Sequence, residues 1–221
     1  MRRLHLMSVC LSGCVALMVV AATLSLSAAQ EPTSFTIREA EASWISRDAS
    51  KPGDVVLDTI FRLGRETTES GDLVDHVQYS DLTYVAVGDG TGRLDLVITE
   101  SVVVDQTSPV GTFTIDPELR RFALDQTFPA EHCVATPPNY STGICSPVEG
   151  VHILAEFIRL DHWYKTFAGR GPAQPGEFVT DLELASNGTA DLSVDGVPVS
   201  GSCGDSPEVC GAFRWIRFRI H

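Results

Sequence analysis

The sequence has few basic residues: 16 lysines and arginines stand against 29 aspartates and glutamates, for a net charge of −13. Nucleic acid and anionic membrane surfaces are themselves negative, so they repel such a chain, and neither is expected as a partner. Internal repeats, linkers and low-complexity segments are also missing. The 221 residues therefore fit one globular domain with a sizeable core.

Motifs for nucleophilic and metal-assisted catalysis are missing as well. There is no Gly-x-Ser-x-Gly elbow and no His-Glu-x-x-His. His152 and Glu156 are four residues apart, but on a strand this spacing separates them by ~13 Å, which prevents them from chelating one ion. The sequence therefore predicts no catalytic residue, no metal site and no cofactor.

Acidic residues leave two alternatives open. Glycoside hydrolysis needs only two carboxylates at a suitable separation, and the sequence cannot identify a pair among so many. A secreted hydrolase that acts through paired carboxylates is therefore the alternative function. Calcium binds carboxylate and carbonyl oxygens, which the turns at Asp89–Asp95 and Glu66–Asp72 bring together, although neither turn has the full calcium-loop signature.

The N-terminus has the three parts of an export signal. Arg2 and Arg3 precede an apolar stretch, and Ser27-Ala28-Ala29 places small residues where signal peptidase cleaves. We interpret residues 1–29 as a signal peptide and expect a secreted, extracellular protein that begins at Gln30. The mature part keeps 14 basic and all 29 acidic residues, for a net charge of −15. Two alternatives are an uncleaved N-terminal membrane anchor and a lipid on Cys14.

Four cysteines remain in the mature part, an even number that implies disulfides in an exported chain. Their spacing does not match that of a zinc knuckle. Among three possible connectivities we favour the two local ones, because the segments between the partners are loop-like. These predicted bonds are Cys133–Cys145 and Cys203–Cys210.

Alternation of apolar and polar residues dominates the mature chain, and helical periodicity is nearly absent. About ten short strands follow one another at the spacing typical of a sandwich. The predicted fold is all-β, a single antiparallel β-sandwich over residues 30–221, with a jelly-roll or barrel as the variant. The segment 151–160 is apolar on both faces, which predicts a central strand covered on both sides.

Turn signals are clearest near the C-terminus. Asn187-Gly188 and Asp195-Gly196 are the dipeptides that type I′ hairpin turns prefer, so both are predicted to join strands. In the closing strand, apolar residues alternate with Arg214, Arg217 and Arg219. A phase shift there predicts a bulge near Trp215, with the arginines facing acidic neighbours or solvent.

The mature chain opens with Phe35-Thr-Ile-Arg38-Glu-Ala40-Glu-Ala42-Ser-Trp44. This Phe-x-x-Arg-x-Ala-x-Ala pattern resembles the opening strand of small exported β-proteins of actinobacteria-type bacteria. The resemblance covers about ten residues. It implies a bacterial secreted β-domain and identifies no catalytic residue.

One segment stands out for binding. Trp163, Tyr164 and Phe167 border a Gly- and Pro-rich loop, and aromatic rings near such loops often hold sugars or partner proteins. The competing interpretation is that Trp163 and Phe167 extend the preceding strand into the core. We predict an exported, non-catalytic β-sandwich that binds an extracellular or cell-envelope component, either a protein or a glycan.

Overall fold

The computed structural model describes residues 34–46, 49–68, 70–135, 143–167, 178–201 and 210–220. These residues form eleven β-strands and no helix. The predicted leader and Gln30 lie outside the described residues. The strands are β1 (Ser34–Ile45), β2 (Val55–Thr67), β3 (Leu73–Gly88), β4 (Leu94–Pro109), β5 (Thr114–Ile115), β6 (Arg121–Val134), β7 (Ile144–Arg159), β8 (Tyr164–Phe167), β9 (Phe178–Val194), β10 (Val197–Pro198) and β11 (Gly211–Ile220).

All eleven strands belong to one antiparallel sheet, which confirms the predicted all-β class. Eight of them form a closed ring of pairings, in the order β9, β11, β1, β2, β3, β4, β6, β7 and back to β9. The ring closes because β9 pairs with β11 through its first part and with β7 through its second. The short strand β5 pairs with β6, while β8 and β10 pair with β9.

Aromatic side chains from distant strands meet inside the ring. Phe61 of β2 stacks on Phe157 of β7, with ring centroids 5.7 Å apart. Phe213 of β11 lies edge-on to Phe157 and to Phe122 of β6, at 6.3 and 5.5 Å. All four rings are buried. Since β2 and β7 are not neighbours in the ring, this aromatic cluster holds opposite walls together.

The two dipeptides predicted as turns differ in outcome. Asp195 and Gly196 have φ values of 52° and 79°, and they join β9 to β10 as predicted. Asn187-Gly188 is not a turn, because β9 continues through it without interruption. A Cβ on Gly188 would lie 2.3 Å from the Phe213 ring and 2.6 Å from the Ile158 carbonyl oxygen. This glycine therefore permits close packing inside a strand.

Two predictions about strand faces were partly wrong. Val151, Ile153, Ala155 and Phe157 are buried as expected, but the other face of β7 is open to solvent, with Leu154 48% exposed. On β2, alternation predicts that one face carries Val55, Leu57, Thr59, Phe61 and Leu63. Phe61 and Leu63 are buried, but Val55 and Leu57 are exposed. Val56 is buried instead, because the apolar phase of β2 shifts between Val56 and Thr59.

In the closing strand the phase shift is present but the bulge lies elsewhere. Phe213 and Ile216 are buried and Trp215 is half-buried, so the buried positions change phase between them. The pairing with β1 is continuous through Trp215, and the register shift falls between Arg217 and Phe218 against β9. Arg214 is exposed and lies 3.8 Å from Glu183, as the charge pattern predicted.

Candidate functional site

A cavity of about 880 Å³ lies against the inner walls of the ring. Its lining includes Trp44 of β1 and Ala155 of β7, which belong to strands that are not neighbours in the ring. The cavity therefore extends from one side of the ring to another. The other buried residues that line it are Phe113, Leu124, Ala190 and Leu192.

Small side chains create this space. In one row across the sheet, Phe122 of β6 lies opposite Phe157 of β7, and these two rings fill the interior at that level. Two residues further along, Leu124 lies opposite Ala155, and Ala155 lies opposite Leu192. Because an alanine takes the place of an aromatic ring in the second row, the interior is left open there.

The ring is weakest between β4 and β6. These strands pair over four positions, Glu100–Val103 with Glu131–Val134, whereas every other pair of ring neighbours has at least seven positions in register. Beyond these four positions, no strand pairing joins the segment Val104–Pro109 of β4 to the segment Leu124–Ala130 of β6 among the described residues. Pro129 lies where the strands part and has no N–H to donate. We call this opening the seam.

A short loop bounds the seam at one end and is held by a buried ion pair. Asp75 is fully buried and accepts hydrogen bonds from the Arg65 Nε at 2.5 Å and from the backbone N–H groups of Gly111 and Thr112 at 2.9 and 3.0 Å. Arg65 also donates to the Phe113 carbonyl at 3.0 Å and lies over the Phe113 ring. The loop Gly111–Phe113 is therefore clamped to β2 and β3, and Phe113 is turned into the core.

Sequence reasoning missed this ion pair, although a signal was present. Asp75 alternates with Val77 and Tyr79, and all three are buried. A carboxylate in phase with core residues requires a buried partner, because an unpaired buried charge is very costly. The sequence did not identify that partner, since Arg65 is on another strand.

Three histidine–carboxylate pairs lie on the outer face near the seam. His76 of β3 is 2.7 Å from Asp105 of β4, and His132 of β6 is 2.7 Å from Glu100 of β4. The third pair links two strands on the β6 side, with His152 of β7 2.9 Å from Asp125 of β6. Both strands that border the seam thus carry carboxylates.

One aspartate has a raised pKa. Burial raises the pKa of Asp58, and the neighbouring Asp81 carboxylate raises it further. The Asp58 Oδ1 atom is buried without a hydrogen-bond partner, while Asp81 accepts a hydrogen bond from Thr59 at 3.2 Å. Burial and Asp58 together raise the pKa of Tyr84. Asp58 lies opposite Leu82 and Asp81 lies opposite Thr59, so the two carboxylates are on opposite faces of the sheet.

The predicted aromatic site is not part of the cavity lining described above. Trp163 packs against the core and carries the Arg159 guanidinium 4.7 Å above its ring, while Tyr164 is 50% exposed. Phe167 ends β8, and the loop 168–177 lies outside the described residues. Trp163 thus follows the competing interpretation, in which it extends the core.

The predicted Cys133–Cys145 disulfide is present and joins residues that lie directly opposite each other on β6 and β7. Cys203 lies outside the described residues, so the Cys203–Cys210 bond stays a prediction. The two candidate calcium turns contain local hydrogen bonds. The Thr91 hydroxyl donates to the Asp89 carboxylate and lowers the pKa of Asp89, and the Ser70 hydroxyl donates to Asp72. Across the described ranges, no three histidines, cysteines or acids come together as a metal site.

Comparisons of this chain with protein-family models, with curated proteins and with solved structures each found no match. Within the described part of the chain, no helix is long and apolar enough to cross a membrane.

Proposed function

We propose that this chain is an exported, non-catalytic binding domain that holds a small apolar molecule, of extracellular or cell-envelope origin, in the interior cavity. The cavity itself carries the proposal. Binding pockets for small molecules measure about 300–1,000 Å³ and have mostly apolar walls. The cavity falls in this range at about 880 Å³. Its buried wall residues are apolar, and the charged residues that also line it are Arg121, Asp125, Glu156 and Asp191.

We also infer that the ring packs as the barrel variant of the predicted fold rather than as a two-layer sandwich. Eight strands in a closed ring leave an interior that side chains fill, or that holds one small ligand. Here the aromatic cluster fills one level and Ala155 leaves the next level open. Export is supported by the Cys133–Cys145 disulfide, since such bonds persist in oxidising compartments.

The test is binding of N-phenyl-1-naphthylamine, a neutral probe whose fluorescence rises in apolar surroundings. We expect the mature protein to bind it with saturation. Ala155→Phe places a ring in the cavity and should weaken binding at least tenfold, while the unfolding midpoint stays equal or rises because the new ring fills empty space.

Ala212→Phe is the matched control, because Ala212 is exposed on β11 and does not line the cavity. It should leave probe binding unchanged. Ala155→Met, a smaller insertion, should give an intermediate affinity. Equal binding by the original protein and Ala155→Phe, with both folded, would show that the probe binds elsewhere.

A second candidate function, hydrolysis through paired carboxylates, would use Asp58 with a carboxylate other than Asp81, because Asp81 lies on the opposite face of the sheet. Burial raises the pKa of Asp58, which is the direction that a general acid needs. Release of nitrophenol from nitrophenyl glycosides, lost in Asp58→Asn and retained in Ala155→Phe, would support this function over binding.

A further inference from the structure

The cavity has two chemically different sides. On one side lie Trp44, Leu192 and Val199, which present apolar surface. On the other side lie the Gly111–Phe113 loop, Leu124 and Asp125, and the cavity lining reaches the seam only at this end. A molecule inside the cavity can therefore place one part against apolar side chains and another part at the seam.

The seam provides hydrogen-bonding groups that the apolar side does not. Along Val104–Pro109 and Leu124–Ala130, strand pairing between β4 and β6 is missing in the described residues. Unpaired strand edges present rows of N–H and C=O groups that need water or another partner. A polar head group placed there gains hydrogen bonds, whereas an entirely apolar molecule does not.

Charge at the seam selects among head groups. Asp105 of β4 and Asp125 of β6 lie within the seam, while Glu100 and Glu131 lie in the paired segment next to it. Asp105 lies beside His76 and Asp125 beside His152, and Asp125 also lines the cavity. An anionic head group is repelled there, and a neutral or cationic one is not.

We propose that the cavity takes the apolar chain of a single-chain amphiphile with a neutral or cationic head group, which enters through the seam and leaves its head there. This inference rests on the proposed function, because it specifies the ligand of the same cavity. The Gly111–Phe113 loop, clamped by Asp75 and Arg65, forms one border of the entrance.

The experiment compares three ligands with the same dodecyl chain as competitors for bound N-phenyl-1-naphthylamine, all below their micelle concentrations, at pH 7.5 and low salt. They are dodecanol, dodecyltrimethylammonium and dodecanoate. We expect dodecanol and dodecyltrimethylammonium to displace the probe at concentrations at least fivefold lower than dodecanoate. Added salt should reduce the difference between the two charged ligands, because it screens the carboxylates.

A charge-neutralised variant tests whether the seam causes the difference. Asp105→Asn with Asp125→Asn should strengthen dodecanoate binding at least threefold and leave dodecanol unchanged. Asp95→Asn with Glu183→Gln is the matched control, because it removes two carboxylates from the start of β4 and from β9, outside the seam, and should change neither ligand.

The outcomes separate this inference from the proposed function. If the probe does not bind, the proposed function fails and this inference fails with it. If the probe binds but no dodecyl ligand displaces it, or dodecanoate is the strongest competitor, the proposed function stands and the inference about the head group is wrong. An equal gain for dodecanoate in the seam and control variants would place the selectivity in overall charge and overturn the role of the seam.

Discussion

Asn187-Gly188 and Asp195-Gly196 lie eight residues apart in the sequence and have nearly the same chemistry, but only one of them forms a turn. Asp195-Gly196 reverses the chain with both residues at positive φ. Asn187-Gly188 lies inside β9, where the glycine admits the Phe213 ring and the Asn187 side chain donates to Asp161 at 3.1 Å. The comparison teaches that such a dipeptide permits a turn, while tertiary contacts decide whether one forms.

The largest expected effect comes from Gly188→Ala. The added methyl group would meet the Phe213 ring at 2.3 Å and the Ile158 carbonyl oxygen at 2.6 Å, and the backbone oxygen cannot move without disturbing β7. We expect a loss of about 3 kcal/mol or more in the free energy of unfolding, measured by chemical denaturation.

The control is Gly64→Ala, another buried strand glycine, whose added Cβ would meet nothing closer than the His76 Cβ at 3.9 Å. This change should be neutral or slightly stabilising, because alanine loses less backbone entropy than glycine on folding. Similar losses at the two positions would mean that Gly188 is needed for a reason other than close packing.

Gly196→Ala should have a smaller effect than Gly188→Ala. Gly196 has a φ of 79° and open space around its Cβ position, so the cost is backbone strain alone. An L-residue in this conformation costs about 1–2 kcal/mol. The measurement is again the free energy of unfolding, and a loss as large as that of Gly188→Ala would contradict the distinction between strain and collision.

The smallest effects should come from Asn187→Asp and Asp195→Asn, which give the first residue of each dipeptide the side chain of the other. Asn187→Asp places a carboxylate beside Asp161, and we expect a loss of about 0.5 kcal/mol that shrinks in added salt, because salt screens the repulsion between exposed charges. Asp195→Asn should be near neutral, because asparagine tolerates positive φ and keeps an oxygen that can accept the His152 N–H at 2.9 Å.

Denaturation at low and at high salt separates the two exchange variants. If Asp195→Asn proves the more harmful change, or if the loss for Asn187→Asp persists at high salt, the asparagine–aspartate contact is not what distinguishes Asn187.

Features that depend on nearby residues were predictable from the sequence. The Asp195-Gly196 turn and the Cys133–Cys145 bond involve residues close in sequence, and the buried face of β7 follows from alternation. Gly188, Asp75 and the cavity were not predictable in the same way. Each depends on which strands become neighbours or face each other across the ring. Alternation predicts the face of the sheet on which a residue lies, but it does not predict which residues that side chain contacts.

Closure of the ring has a consequence for how this protein folds. Ser34 pairs with Arg219 and Glu41 with Ala212, so the first described strand completes its hydrogen bonding only with the last. Contacts of such long sequence separation require the whole intervening chain to be brought together, and they slow folding. Until β11 arrives, β1 and β9 each present an open edge that can pair with another chain. The last ten strand residues therefore protect the protein against aggregation as well as contributing to its stability.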